Sequence, residues 1–148
     1  MGLNPILEVH ETIEEMERAA KEGAKGIGEI VGGYNFFPRL DNPLGDDRFI
    51  EILDKAGELR LPLLIHSCWG RHVWLKYSDP IYIDDFATSC PDTILIIAHS
   101  GGTYQRFNEG AIMVARKNPN VYLETSWTST RIVEKMVKEV GAEKIIFA

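Results

Sequence analysis

Short apolar runs rich in β-branched residues alternate along the chain with longer amphipathic segments, and this alternation limits the folds open to it. The runs are continuously apolar, a pattern typical of strands that are covered on both faces in a parallel sheet. They predict six strands, at "ILEV" (6–9), "GIGEIV" (26–31), "LPLLIH" (61–66), "TILIIAH" (93–99), "NVYLET" (120–125) and "KIIFA" (144–148).

The segments between these runs predict amphipathic helices. In the first of them, Ile13, Met16 and Ala20 share one helical face, and Gly23 is a stop signal. The predicted helices are "ETIEEMERAAKEG" (11–23), "DDRFIEILDKAGELR" (46–60), "DPIYIDDFATSCP" (79–91), "RFNEGAIMVARKNPN" (106–120) and "STRIVEKMVKEVGAEK" (129–144). Strands alternating with helices predict right-handed βαβ units. Two architectures fit, an open doubly wound sheet and a (β/α)8 barrel, and both place the active site at the carboxyl ends of the strands.

The length of the chain bears on this choice. A chain of 148 residues is expected to form a single domain. A complete barrel takes about 200–250 residues or more. We therefore expect a single domain over residues 1–148 that is the C-terminal-side part of an α/β barrel, truncated at both ends.

Charge and cysteine content limit the classes of partner and the cellular location that are expected for this chain. The net charge of -6 argues against nucleic acid and anionic membranes as partners. No apolar stretch reaches the roughly 18 residues that a membrane span needs. The N-terminus has no basic region leading into an apolar core, so no secretion signal is expected. The cysteines Cys68 and Cys90 form no disulfide framework, and a reduced cytoplasmic location is the expectation.

Three ionisable residues lie where a parallel sheet places its chemistry. His66 and His99 each end an apolar run, in "IHS" and "AHS", and Glu29 lies within "GIGEIVGG". A carboxylate buried in a strand costs several kcal/mol unless it is paired or bound to metal. Neighbouring strands lie about 4.8 Å apart, so the three side chains could converge on one ion. Two imidazoles and a carboxylate are a common ligand set for zinc or iron.

Each of these residues also has a structural interpretation. A single histidine at a strand end is more often a hydrogen-bonded polar residue than a ligand, and Glu29 could pair with Lys25 or Arg39. His10 could cap the helix that follows it, and Cys68 and Cys90 are expected to be packed thiols.

Other side chains fall in the segments that follow predicted strands. His72 is a candidate for substrate contact, and the pair Gly101 and Gly102 predicts a tight turn beside the site. Hydroxyls follow another strand end in "ETSWTST" (124–130). The aromatic residues of these segments suggest an organic substrate, although packing among the loops explains them as well. They are Trp69, Trp74, Tyr77 and Trp127.

The sequence resembles the amidohydrolase-related, metal-dependent hydrolase family. The resemblance rests on "GAKGIGEI", "LPLLIHS", a helix introduced by proline, "CPDTILIIAHSGG", "NPNVYLETS" and "GAEKIIFA". In particular it is similar to the branch that includes aminocarboxymuconate-semialdehyde decarboxylase-like enzymes, and the glutamate motif is similar to TatD-type hydrolases. It implies a partial TIM-type (β/α)8 barrel covering roughly strands 3 or 4 to 8, with a parallel sheet and outer helices.

The resemblance also implies roles for individual residues. His66 corresponds to a metal ligand at the end of strand five, and His99 to a second histidine that is a ligand or a catalytic acid/base at the end of strand six. Glu29 matches a ligand or bridging carboxylate of strand four in TatD-like members. The implied site is thus a divalent metal centre of Glu29, His66 and His99, with zinc expected and His99 catalytic. The HxH pair of the family's first strand and the aspartate of its last strand do not occur in this sequence.

The function implied is that of a metal-dependent hydrolase, which cleaves a C–N or C–O bond of a small organic substrate with metal-activated water. Three alternatives stay open: a metal-dependent decarboxylase (a lyase) of the same superfamily, a non-catalytic truncated barrel, and a doubly wound binding domain. Activity of this chain alone is uncertain because the usual ligands are missing. Open sheet edges predict association, most simply as a homodimer.

Overall fold

The computed structural model describes residues 1, 8–30, 47–68 and 75–148. Five short strands form one parallel sheet. They are β1 (Ile27–Ile30), β2 (Leu63–His66), β3 (Leu95–Ala98), β4 (Val121–Glu124) and β5 (Ile145–Ile146). The helices are α1 (Val9–Lys21), α2 (Asp47–Glu58), α3 (Leu75–Ser78), α4 (Ile83–Ser89), α5 (Gln105–Lys117) and α6 (Thr130–Val140). Short 3-10 turns lie at Pro80–Tyr82, His99–Gly101 and Ala142–Lys144.

The strands of the described sheet are ordered β1-β2-β3-β4-β5, and every neighbouring pair is parallel. A doubly wound sheet reverses its strand order near the middle, whereas a (β/α)8 barrel adds strands in chain order. The described strands show no such reversal. The predicted α/β class is therefore confirmed, and the topology is that of a partial TIM barrel.

The first predicted strand (6–9) is wrong at its end, because Val9 is the first residue of α1. The backbone N–H of Glu8 donates to Oε2 of Glu11 at 3.1 Å, and the N–H of Thr12 donates to the carbonyl of Glu8. These bonds satisfy groups at a helix start, which favours a helix here over a strand. His10 is an exposed residue inside α1, so Glu8 and not His10 caps the helix. Positions 6 and 7 lie outside the described residues.

The two faces of the sheet differ in burial. Leu63, Leu95 and Leu123 are fully buried and pack with the helices in one hydrophobic core. Leu64 and Ile96, which pair with each other on the opposite face, are only half-buried. The continuously apolar runs predicted that both faces of the sheet are covered. Within the described residues, the leucines on the helix-facing side are fully buried, whereas Leu64 and Ile96 on the other side are not. The half-buried side is the one that faces inward in a barrel.

The part of the chain that the structure describes contains no helix with the length and apolar character needed to cross a membrane.

Two adjacent residues test the assignment of the core. Leu95→Ala should lower the free energy of unfolding by about 2–5 kcal/mol, because it leaves a cavity at a fully buried position. Ile94→Ala, at a residue that is 44% exposed, should cost less than about 1.5 kcal/mol. Urea denaturation of the two variants measures both values. Equal losses would contradict the assigned burial.

Candidate metal centre

The two predicted histidines lie side by side at the carboxyl edge of the sheet. His66 is the last residue of β2, and His99 directly follows β3. Because β2 and β3 pair in register, His66 is opposite Ala98, the residue before His99. The two imidazole rings meet edge to face, with centroids 5.1 Å apart. Parallel pairing therefore brings two residues 33 positions apart in sequence into contact.

Glu29 of β1 joins this pair. Its Oε1 lies 2.6 Å from Nδ1 of His66 and 3.2 Å from Nε2 of His99. The carboxylate is 33% exposed, so the premise that it is fully buried is wrong, and solvent reaches the site from its side. The pairing of β1 with β2 is irregular between Ile27 and Ile30, the segment that contains Glu29. The structure thus brings together the three residues that the sequence singled out.

The serine after each histidine fastens one strand end to the next strand. Ser67 Oγ donates to the carbonyl of Ala98 at 2.8 Å, and Ser100 Oγ donates to the carbonyl of Glu124 at 2.7 Å. Both serines are buried. The repeated His-Ser pair therefore combines a polar side chain at the site with a hydrogen bond that fixes the adjacent strand end.

The turn that carries His99 is held from α5. His99 and Ser100 both have positive φ angles, of 58° and 43°, and non-glycine residues adopt such angles only when the surroundings stabilise them. The buried side chain of Asn108 supplies part of that support. Its Nδ2 donates to the carbonyls of Ser100 at 2.7 Å and Gly102 at 3.0 Å. Gly102 also has a positive φ, of 64°, which agrees with the predicted tight turn.

A buried carboxylate and a hydroxyl lie behind His99. Ser126 Oγ donates to Oε2 of Glu124 at 2.8 Å and lies 2.7 Å from Nδ1 of His99. Glu124 also accepts the backbone N–H groups of His99 and Ser126. Sequence reasoning noted hydroxyls in "ETSWTST" but assigned Glu124 no role. The signal was a carboxylate at the end of an apolar strand, the same signal that singled out Glu29.

Cys68 also lies beside the histidines, although its sequence pattern predicted only a packed thiol. It is 3% exposed, as expected of a packed thiol, but its Sγ lies 3.2 Å from Nε2 of His66. Burial, and to a smaller extent the nearby charge of Glu29, raise the pKa of the Cys68 thiol. Potential ligand atoms of His66, Cys68 and His99 all lie within 4.8 Å of one another.

Trp127 covers one face of His99. The two rings stack with centroids 4.4 Å apart and planes 14° apart, while 70% of Trp127 remains exposed. An indole in this position gives the site an apolar wall. The other predicted mouth residues, Trp69, His72 and Trp74, lie outside the described residues, as does the side chain of Tyr77.

Comparison with known proteins identifies the family. The family model described as "Amidohydrolase" matches residues 2–148. The chain belongs to the amidohydrolase family. A search of curated proteins gave no match.

Solved structures with the same fold support the barrel architecture of this amidohydrolase. An uncharacterized TIM-barrel protein from Bordetella bronchiseptica is 16% identical, with a TM-score of 0.75 over 99% of this chain and 51% of that one. Amidohydrolase 2 from Bifidobacterium longum subsp. infantis is 18% identical, with a TM-score of 0.60 over 92% of this chain and 60% of that one. A 4-oxalomesaconate hydratase from Rhodopseudomonas palustris is 20% identical, with a TM-score of 0.61 over 99% of this chain and 49% of that one. The chain thus spans about half the length of these proteins.

Members of the amidohydrolase family generally bind divalent metals, and the donor set present here fits such an ion. Imidazole nitrogen, thiolate sulfur and carboxylate oxygen are the ligands that zinc takes in proteins. His66 and His99 supply imidazole nitrogens, Cys68 supplies sulfur, and Glu29 supplies carboxylate oxygen. The donor chemistry at this edge of the sheet therefore fits a divalent metal.

The support given by Asn108 can be measured. Asn108→Ala should lower the free energy of unfolding by about 1–3 kcal/mol, because the carbonyls of Ser100 and Gly102 lose a buried donor. Gln105→Ala on the same helix, at an exposed residue, should change it by less than about 0.5 kcal/mol. Chemical denaturation of both variants provides the comparison. A loss for Asn108→Ala no larger than for its control would contradict this role.

Proposed function

We propose that this amidohydrolase is a metal-dependent hydrolase that cleaves a C–N or C–O bond in a small organic substrate. The observation that carries the proposal is the convergence of Glu29, His66 and His99 at the carboxyl edge of a parallel sheet. That edge is where barrel enzymes place their reacting groups. Membership of the amidohydrolase family supports the reaction class.

The two imidazoles hold the metal in this proposal, with the carboxylate of Glu29 beside them. His99 takes part in catalysis as a ligand, because Nε2 faces the cluster while Nδ1 is engaged by Ser126. A divalent ion in such a site, most simply zinc, supplies a Lewis acid that activates water and polarises a substrate oxygen.

Glu29 is the group placed to move a proton. Its Oε1 is within hydrogen-bonding distance of both imidazoles, and one third of the carboxylate is open to solvent. A carboxylate in this position accepts a proton from attacking water and returns it to the leaving group. Glu124 is less suited to this role, because it is buried and already accepts three donors from the His99 and Ser126 segments.

The substrate is proposed to lie against Trp127. The exposed indole stacks on His99 and presents an apolar surface next to the reacting groups. Such a surface favours an organic substrate with a planar or apolar part over a highly charged one.

Zinc binding tests the proposed centre. A His66→Ala, His99→Ala double variant should lose at least about tenfold in zinc affinity, because two ligands are removed. His10→Ala should bind zinc like the unmodified protein, since His10 is exposed on α1. Titration calorimetry measures all three proteins. Equal zinc affinity in the double variant and the unmodified protein would remove the site from consideration.

The reaction class can be tested on the zinc-loaded protein. We expect zinc-dependent hydrolysis of a panel of amides, esters and lactones, measured by chromatography of the acid product. His66→Ala should abolish it and His10→Ala should not. Release of carbon dioxide from aromatic or enoic acids, without hydrolysis, would instead assign a lyase reaction to the same centre.

We also propose that the protein associates as a homodimer. The described sheet has β1 and β5 as its edges and a half-buried inner face, and Phe147 beside β5 is 92% exposed. Backbone groups next to and within β1 already bond to Met1, so the edge at β5 and the exposed apolar side chain beside it are the features that favour association with a second copy.

Light scattering at micromolar concentration should give about twice the monomer mass of 16.7 kDa. Phe147→Asp should shift the protein toward monomer, whereas Met113→Asp, at an exposed residue of α5, should not. A cooperatively folded monomer at this concentration, without any substitution, would contradict the proposal.

A further inference from the structure

Cys68 lies closer to the candidate ligands than a purely structural thiol needs to be. It follows His66 by two residues, and its Sγ is 3.2 Å from Nε2 of the imidazole. Gly102 closes over it, since a Cβ on that glycine would lie 2.9 Å from Cβ of Cys68. The thiol is thus confined between β2 and the turn that carries His99.

The hydrogen bonds of His66 determine which of its nitrogens is free. Oε1 of Glu29 lies 2.6 Å from Nδ1, and a carboxylate accepts hydrogen bonds. Nδ1 therefore carries the proton, and Nε2 presents its lone pair. That lone pair lies on the side of the ring where Cys68 is found.

The hydrogen bonds of His99 lead to the same nitrogen. Ser126 Oγ donates its hydroxyl to Glu124 and lies 2.7 Å from Nδ1 of His99, so Nδ1 is occupied by a hydrogen-bonding partner. Nε2 is the other ring nitrogen of His99, and it lies 3.2 Å from Oε1 of Glu29 on the side of the cluster.

The distances of Cys68 and Glu29 from the nitrogens of His66 show which of the two contacts is compatible with a shared metal ion. Two nitrogen or oxygen ligands of tetrahedral zinc lie about 3.3 Å apart, and a sulfur and a nitrogen ligand about 3.5 Å apart. The contact of Cys68 Sγ with His66 Nε2, 3.2 Å, is near the second value. The contact of Glu29 with His66 Nδ1, 2.6 Å, is a hydrogen-bond length and is too short for two ligands of one ion. One ion also cannot bind both nitrogens of the same imidazole.

We propose that Cys68 is a ligand of the metal, together with the imidazoles of His66 and His99, and that Glu29 orients His66 through its Nδ1. The inference rests on the proposed function, because it completes the same centre. On binding, the thiol gives its proton to solvent and the sulfur binds as thiolate. A carboxylate that holds the far nitrogen of a ligating histidine is a common arrangement around zinc.

Cobalt substitution tests this assignment without an activity measurement. A thiolate bound to Co²⁺ gives an intense near-ultraviolet charge-transfer band, and imidazole ligands do not. The unmodified protein should show the band, and Cys68→Ser should lose it and bind zinc at least about tenfold more weakly. Cys90→Ser is the matched control, because Cys90 is equally buried but ends α4 away from the site, where burial raises its pKa to about 12. It should leave both the band and the affinity unchanged.

The possible results of this experiment distinguish failure of the Cys68 assignment from failure of the proposed metal centre. Cobalt binding without a thiolate band, or unchanged zinc affinity in Cys68→Ser, overturns the role of Cys68 and leaves the proposed function standing. Absence of any metal binding by the unmodified protein overturns both.

If circular dichroism shows that Cys68→Ser does not fold, alkylation of the unmodified protein tests whether Cys68 binds the metal. Zinc should slow modification of Cys68 and leave that of Cys90 unchanged, as read by peptide mass spectrometry. No protection of Cys68 overturns the assignment.

Discussion

Parallel pairing of neighbouring strands in chain order is the constraint on which the candidate site depends. It places the carboxyl ends of β1, β2 and β3 at one edge of the sheet, so that side chains from three distant segments meet there. The register of β2 and β3 sets His66 beside His99, and the irregular pairing of β1 lies where Glu29 reaches both. Without this pairing the three side chains would lie apart and form no common site.

Hydrogen bonds between strand ends turn that placement into a defined geometry. Ser67 and Ser100 each donate to a carbonyl of the next strand, and Asn108 on α5 holds the turn that follows β3. These groups are buried, so their bonds form where water does not compete and an unmade bond is costly. The polar residues beside the site are therefore part of its framework as well as its chemistry.

Hydrogen bonds to polar side chains fix the orientation of each imidazole. Glu124 holds Ser126, which holds Nδ1 of His99, and Glu29 holds Nδ1 of His66. In both rings Nδ1 is thus occupied, while Nε2 of His66 lies beside Cys68 and Nε2 of His99 beside Glu29. Two histidines with matching free nitrogens are better prepared to bind an ion than two freely rotating ones, because less conformational entropy is lost on binding.

The sequence by itself determined the βαβ pattern, the parallel sheet and the three residues Glu29, His66 and His99, because periodicity and strand-end polarity are local properties. It misplaced the first strand, since the helix start at Glu8 depends on a hydrogen bond that an apolar run does not reveal. The tertiary structure alone decided strand order, the uneven burial of the two sheet faces, and the contacts of Glu124, Ser126 and Cys68 with the histidines. Those features depend on which strands become neighbours and which ring nitrogen meets which partner. Strand pairing and the contacts of Glu124 and Ser126 with His99 join residues far apart in the chain, and the contact of Cys68 with His66 depends on side-chain orientation, so no local apolar pattern encodes them.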